Sequence, residues 1–595
     1  MGNFDDRHGP AWTLEEMSRR RFVQRMASIG AWGATGLAGA QLLAACGGSG
    51  SSGGSDSNGD GTGGSVPADK FALVDYSGGG TGAALAELRA AMEAPSTVVP
   101  GFSFSAPDTF IARLAWSSLF AIDNDGQPIL ADAKSYTPND DYTVHTLELH
   151  PDLQWSDGTP YGAADYVFSL VYKIGTGSVF NPPWITGLYE ILFAGADISE
   201  LGVKATDEHT LVITTNQSIP FLPVYLASAI EIAPIPRHLF EGVDDYASVL
   251  ADMTDPAKFV SNGPYVITGY SPSEIAFGRN PNYRKGAPAA TADTVKATIF
   301  DSVRSSQSFN AFRAGDLDVV TVGWNDIPAV QGDASLRART SEIVWPNWTM
   351  LILNHAKPPL DDLNVRKALS LAIDRELIAS TSLYGAATAQ HGLLSPGYAG
   401  YDESYQPFVV ADARAEAKSL LAKAGFEGGN GFPTLTYITY GDASGDLISQ
   451  AIVAMWKDVL GITVQIQRLD PGAWYAAVIT PDDPTAWGDI ADGPWPAAYR
   501  DPADVFNDLL LNGGPVYHHN WMMPDEMVAQ MDAALYEIDP SLRATKVAAI
   551  NNDVMQQIPV IPTILLHDVQ VRGEAIEGRY AAYGSEFYGT RYISA

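Results

Sequence analysis

Among 595 residues there is one cysteine. A chain with a single thiol closes no disulfide on itself, so its stability has to come from a buried core, and a chain this long can bury a large one. Positive charge is also scarce. Lys and Arg number 36 against 69 Asp and Glu, for a formal net charge of −33. That balance argues against nucleic acid and against electrostatic attachment to anionic lipid, and it favours solubility. No apolar run after residue 45 approaches membrane-spanning length. The ten histidines are scattered, with no HExxH pair and no convincing G-x-S-x-G outside the glycine tracts. Internal repeats are missing too. At 18% charged and 46% hydrophobic the chain is globular rather than disordered, and its length leaves room for roughly three or four domain-sized units.

What is there begins with the place of the one thiol. The first 25 residues are polar and include "SRRRFVQ"; Met26 to Ala45 then runs without charge, rich in Ala and Gly. A charged segment, an apolar segment and small residues before a cut site make an export signal. Arg19-Arg20 with Phe22 close behind resemble a twin-arginine signal. Leu43-Ala44-Ala45-Cys46 resembles the lipobox of bacterial lipoproteins, in which the cysteine receives a diacylglyceryl group and becomes the new N-terminus. A retained transmembrane helix is the competing reading. Residues 1–45 are expected as signal peptide, and 46–66 as lipidated Cys46 and a flexible Gly/Ser linker. Removing residues 1–45, with five arginines and four acids, leaves the remainder one unit more negative. Within the linker Asp56-Ser57-Asn58-Gly59-Asp60-Gly61 starts like a calcium loop, but Pro67 stands where such a loop needs a bidentate Glu. The segment reads as linker.

The folded body opens with "FALVDY", a strand pattern, then "SGGGTG", then "AALAELRAAM", a helix pattern. Gly78, Gly80 and Ala83 fit G-x-G-x-x-A, yet no acid follows about twenty residues on and no Lys follows the glycines. A tight turn is expected, with the lesser alternative that helix N–H groups beside Gly80 hold a ligand's carboxylate. Strand patterns follow at 142–150, at 209–215 and in the hairpin "YVITGY"/"EIAFGRN". Ala164, Val167, Phe168 and Val171 mark the expected buried stripe of a helix. After residue 300 strands alternate with helices. "SSQSFNAFRAG" predicts a helix stopped by Gly315; 434–440, "LISQAIVAMWKDVLG" and 462–469 predict a strand–helix–strand unit with Ile448, Ile452, Trp456 and Val459 inside and its strands parallel.

"LELHPDLQWSDGTPYGAADYVFSL", "FVSNGPYVITGYSPSEIAFGRNPNYRKG", "FNAFRAGDLDVV", "LILNHAKPPLDDLNVRKALSLAIDRELI" and "DARAEAKSLLAKAGF" occur in this order. Together they resemble the extracellular solute-binding proteins, family 5, of ABC importers: binders of oligopeptides, dipeptides and nickel. The resemblance covers about residues 115 to 570. It implies an α/β fold of periplasmic-binding-protein type, with two lobes around a ligand cleft joined by hinge segments and an extra subdomain in the first lobe. The implied division is 67–298 for the first lobe with its inserted subdomain, 299–555 for the second, and 556–595 for a C-terminal return to the first. It implies no enzyme and no cofactor, and a monomer that works with a permease and an ATPase. Its place is the extracytoplasmic face of the cell membrane, through the lipid anchor. Trp474 in "DPGAWYAAV" and Trp495 in "DGPWPAAYRDP" match cleft tryptophans of relatives, and Tyr499, Trp345 and Asn354 join them as candidates. Peptide-binding relatives typically carry an acid just before this tyrosine, paired with the peptide's α-amine. Here Ala498 stands in that position, and Asp492 or Asp489 is the expected substitute.

A peptide is therefore the first ligand expected, with a sugar, an opine-like molecule or a nickel chelate as alternatives. A secreted hydrolase would need a nucleophile–base pair or a metal centre. His518-His519 could ligate a metal, but neighbours on a strand point apart. Asp361-Asp362 and Asp482-Asp483 read as a helix start and loop charges. A receptor that signals without transport is the third class.

Overall fold

The computed structural model describes residues 85–102, 106–122, 127–176, 184–243, 245–284, 292–441, 443–479, 488–511 and 521–574. The expected signal peptide, Cys46, the linker, strand 71–76, Gly80, Asp482-Asp483 and His518-His519 lie outside these residues.

The described chain opens in strand β1 (Leu85–Met92) and passes through the helix Ala106–Ala115 into a small hairpin, β2 (Phe120–Ile122) and β3 (Pro128–Leu130). Strands β4 (Ala133–Pro138), β5 (Val144–Leu149), β6 (Val203–Ala205) and β7 (Thr210–Thr214) build an antiparallel sheet in the order β4-β5-β7-β6. The hairpin β8 (Tyr265–Ser271) and β9 (Glu274–Arg279), then β10 (Ala292–Ile299), return beside the start in the order β1-β10-β9-β8. Every remaining strand belongs to one larger sheet. These are β11 (Val319–Thr321), β12 (Thr340–Leu353), β13 (Ala387–Ala389), β14 (Leu435–Tyr440), β15 (Val464–Leu469), β16 (Ile490–Pro496) and β17 (Val560–Arg572). Their order is β11-β17-β12-β16-β14-β15, with β13 on β17. Sheet membership thus changes between residues 299 and 319, where the sequence changes texture.

Local signals hold where the buried face belongs to the element itself. The helix Ser306–Ala314 is capped by Ser305 and ends at Gly315, whose φ of 84° is in the left-handed region glycine tolerates. β14, the helix Ala443–Leu460 and β15 form the expected unit with parallel strands, and Ile448, Ile452, Trp456 and Val459 are all buried. Asp362 caps the helix Leu363–Leu371, as a helix-start acid should.

Two expectations fail. Residues 85–92 form not a helix but β1, paired in parallel with β10 from Leu85↔Ala292 to Met92↔Ile299. Leu88, Ala90 and Met92 are buried on the strand period, so sheet pairing and burial override the Ala-rich helix propensity. Gly80 and the residues up to 84 lie outside the described residues; from Leu85 to Met92 the chain is strand. The helix Ala163–Thr176 exists, but its buried residues are Ala163, Tyr166, Ser169, Lys173 and Ile174. Ala164 is exposed, and Val167, Phe168 and Val171 are half-buried. Polar partners turn it: Tyr166 Oη donates to buried Asp132 at 2.8 Å, Ser169 Oγ accepts from Ile235 N at 2.8 Å, and Lys173 Nζ donates to Ala233 O at 2.8 Å. Hydrophobicity alone does not register such a face. The last described strand stays in the larger sheet. β17 pairs with β12 and, at its end, with β11.

Candidate functional site

Strand β16 lies between β12 and β14, and its register decides what shares a face. Trp348 of β12 is directly opposite Trp495 of β16, and Met350 is opposite Gly493. Paired residues and alternate residues share a face of the sheet, so Trp348, Gly493 and Trp495 do. Trp474, at the end of the short helix Pro471–Trp474, lies over Gly493. A Cβ at Gly493 would come within 2.5 Å of Trp474 Cζ2 and 2.8 Å of Cη2, so glycine here makes room for the ring. Tyr440 meets Trp474 edge-on, with ring centroids 5.1 Å apart. Trp348 and Trp474 are both buried, and among the described residues their Nε1 atoms have no hydrogen-bond partner.

After β16 the chain turns through Ala497-Ala498-Tyr499 into the π-helical turn Asp504–Leu509. Two of its carboxylates point back. Asp504 is fully buried; it accepts from Trp495 Nε1 at 2.8 Å and from Ala498 N at 2.8 Å. Asp508 accepts from Tyr499 Oη at 3.1 Å. Asp508 itself is exposed to solvent, unlike Asp504. Desolvation by the protein around it still pushes the Asp508 carboxyl up to about 7. Burial, and then the neighbouring Asp508 charge, hold the Asp504 carboxyl far above the usual range. Among the described residues neither carboxylate has a Lys, Arg or His within ion-pairing distance.

The opposite wall comes from the first half of the chain. The Phe221 ring stacks on Tyr499 at 6.3 Å and on Tyr536 at 6.4 Å, and Tyr225 meets Tyr499 edge-on at 5.0 Å. Behind them Arg543 donates Nη1 and Nη2 to Asp501 at 2.8 and 2.7 Å, its guanidinium 5.3 Å from the Phe221 ring centre. Such aromatic pairs carry apolar area at low entropy cost.

The structure therefore brings Trp474, Trp495 and Tyr499 into one neighbourhood. It places the other candidates differently. Asp492 is buried and saturated within the sheet, accepting from Tyr437 Oη at 2.8 Å, Thr439 Oγ1 at 3.0 Å and Tyr440 N at 2.8 Å. Asp489 accepts from Thr436 N at 2.7 Å at the other end of β16. Neither is a free substitute for the acid missing at Ala498. Asn354 is buried at that far end too, its backbone N–H donating to Asp489 O at 2.9 Å and its side chain holding a turn. Trp345 lies in β12 where the pairing with β17 slips between Val344 and Trp348. Asp504, Asp508, Phe221, Tyr225 and Tyr536 were not anticipated. Only the carboxylate pair had a sequence signal, since Asp504 and Asp508 are four apart on one helical face within an apolar run.

Known proteins match this architecture. The solved structure of the Escherichia coli murein tripeptide binding protein MppA superposes with a TM-score of 0.70 at 22% identity, covering 86% of this chain and 99% of that one. In sequence the chain is 29% identical over 469 residues to the probable deoxycholate-binding periplasmic protein YgiS of Escherichia coli, 75% of this chain and 82% of the relative. It is 27% identical over 423 residues to that organism's periplasmic oligopeptide-binding protein OppA, 68% and 74% of the two chains. The model of the bacterial extracellular solute-binding proteins, family 5 (middle), matches residues 127–515. The fold is α/β of periplasmic-binding-protein type, and the chain belongs to the bacterial extracellular solute-binding proteins, family 5.

Proposed function

We propose that the protein captures a small solute, a short peptide first, in a cleft between two lobes and delivers it to the permease and ATPase of an ABC importer. The observation that carries this is the meeting of Phe221 and Tyr225 from one half with Tyr499 and Tyr536 from the other, beside carboxylates that have no ion-pair partner among the described residues. Enclosure between lobes buries most of a small ligand's surface through hinge closure. In this reading residues 67–298 form the first lobe, 299–555 the second and 556–595 a return to the first, and Trp474, Trp495 and Tyr499 line the cleft. A non-peptide solute is the second reading. Ala498 in place of an acid favours it, as does similarity to a relative named for probable deoxycholate binding. Mass spectrometry of whatever the purified, denatured protein releases separates the two. Short peptides of mixed sequence are the expected result; a single non-peptide molecule would replace the first reading with the second.

The protein is proposed to act as a monomer on the extracytoplasmic face of the membrane, held by lipid on Cys46. Among the described residues no helix is long and apolar enough to cross a membrane. Cys46→Ala is expected to leave an unlipidated precursor that moves to the aqueous phase in detergent partitioning. Continued partition into detergent would remove the lipid anchor from this account.

A further inference from the structure

We propose that Asp504 is a positioning residue of the capture site: from behind the cleft wall its carboxyl group fixes the Trp495 indole and the turn 497–499 in the shape the solute meets. This rests on the interlobe capture proposed above. Asp504 is wholly buried, and its two oxygens are used separately. Oδ2 accepts from Trp495 Nε1 at 2.8 Å and, more loosely, from Tyr398 Oη at 3.4 Å; Oδ1 accepts from Ala498 N at 2.8 Å. Trp495 belongs to β16, Ala498 to the turn after it, and Tyr398 stands 106 residues before Asp504 in sequence. One buried group therefore joins three stretches of chain.

What faces outward follows from what is tied inward. Trp495 is half-buried, with its Nε1 edge turned to Asp504. Ala498 is exposed although its N–H is bonded to the interior. Neither residue needs a solute to hold its place. Asp504 spends its oxygens on its own chain, so its part is orientation and not contact with the solute. A wall fixed in advance raises affinity, because the cost of ordering it is not met at binding.

A second set of contacts, independent of Asp504, holds the same turn against the segment that supplies Tyr398. Arg500 Nη2 donates to Pro396 O at 3.3 Å, and its guanidinium lies over Gly397, where a Cβ would overlap it. Gly397 has a φ of 87°, which glycine adopts without strain. Three residues on, a Cβ at Gly400 would come within 2.7 Å of Ala544 O in the helix Pro540–Gln557. Segment 396–400 is thus packed on the body of the second half and carries the turn with it.

The test uses the full chain with Asp504→Ala, Asp504→Asn and Tyr398→Phe. Leu369→Ala, which empties a buried site on another helix, is the control for lost stability. Asp504→Ala strands both N–H donors, whereas Asp504→Asn keeps the shape and one acceptor oxygen. In protein labelled with 15N-tryptophan, the Trp495 indole signal is identified by its loss in Trp495→Phe and followed by NMR. Affinity for a tripeptide library is titrated by calorimetry. Asp504→Ala is expected to move the Trp495 signal and to weaken library binding at least tenfold, with Asp504→Asn in between and Tyr398→Phe affected least. Leu369→Ala should melt lower yet keep the native signal and affinity. An unmoved Trp495 signal in Asp504→Ala and Asp504→Asn, or a moved signal with native affinity, would overturn the proposal. So would an equal loss of affinity in Leu369→Ala. A native chain that ignores the library would end the peptide reading instead; the Trp495 signal would still decide the part of Asp504, upholding it if moved and removing it if not.

Discussion

Replacing Arg543 with methionine is expected to destabilise the protein by about 3–5 kcal/mol, because it strands a buried charge. Asp501 and Arg543 are 4% and 3% exposed and share two hydrogen bonds at 2.7 and 2.8 Å. Arg543 Nε also donates to Leu535 O at 2.8 Å, so the guanidinium joins the turn after β16 to the helix Pro540–Gln557 and the end of the helix before it. Methionine conserves most of the volume but leaves the Asp501 carboxylate with one backbone donor, Ala503 N. The measurement is thermal melting of Arg543→Met beside the double variant Asp501→Asn, Arg543→Met. The double variant should recover much of the loss, since removing both charges removes the desolvation penalty as well. A single variant that melts with the native protein would show that the pair does not hold the turn. Because Phe221 packs under the guanidinium, the single variant should also weaken ligand binding.

The second large effect concerns Gly493→Ala. One methyl group there would overlap the Trp474 ring at 2.5 Å, and β16 cannot yield because β12 and β14 flank it. The indole has to leave its position. Overpacking of this kind costs about 1–3 kcal/mol. If Trp474 lines the cleft, ligand affinity should fall by at least tenfold, about 1.4 kcal/mol. Trp474→Ala should lose a similar affinity and also melt lower, because a buried ring is removed. A collapse of Trp474→Ala without any defect in the ligand affinity of surviving protein would return Trp474 to a packing role.

The unit β14–helix–β15 was legible because its signals are local. A 3.6-residue stripe ending in Trp456 and Val459 and two β-rich runs name their own elements, and the right-handed crossover rule supplies their arrangement. Ser305 and Gly315 bracket their helix for the same reason, since caps satisfy backbone groups within a few residues. Leu85–Met92 was illegible. Its alanines favour a helix in isolation, and only β10, some 200 residues later, makes it a strand. The helix Ala163–Thr176 was found but wrongly rotated, because Tyr166, Ser169 and Lys173 are buried for hydrogen bonds to distant atoms.

The site divides along the same line. Trp474, Trp495 and Tyr499 could be singled out from the chain, as candidates for the cleft, because they stand in ordered motifs. Asp492 could not be ruled out from the chain, since nothing in "DGPWPAAYRDP" says that Tyr437, Thr439 and Tyr440 use its carboxylate. The burial of Asp504 could not be foreseen, since a four-residue spacing of acids marks solvated helices as often as enclosed ones.

By itself, the sequence determined the acidity, the lack of disulfides, the strand–helix alternation after residue 300 and the motif order that marks the family. These depend on composition and on neighbours within a few turns. Tertiary structure alone decided that β1 is a strand, that Phe221 and Tyr225 face Tyr499, and that the Asp504 carboxylate is buried with no ion-pair partner among the described residues. Those facts depend on which distant segments exclude water from one another, and burial of that kind has no local signature.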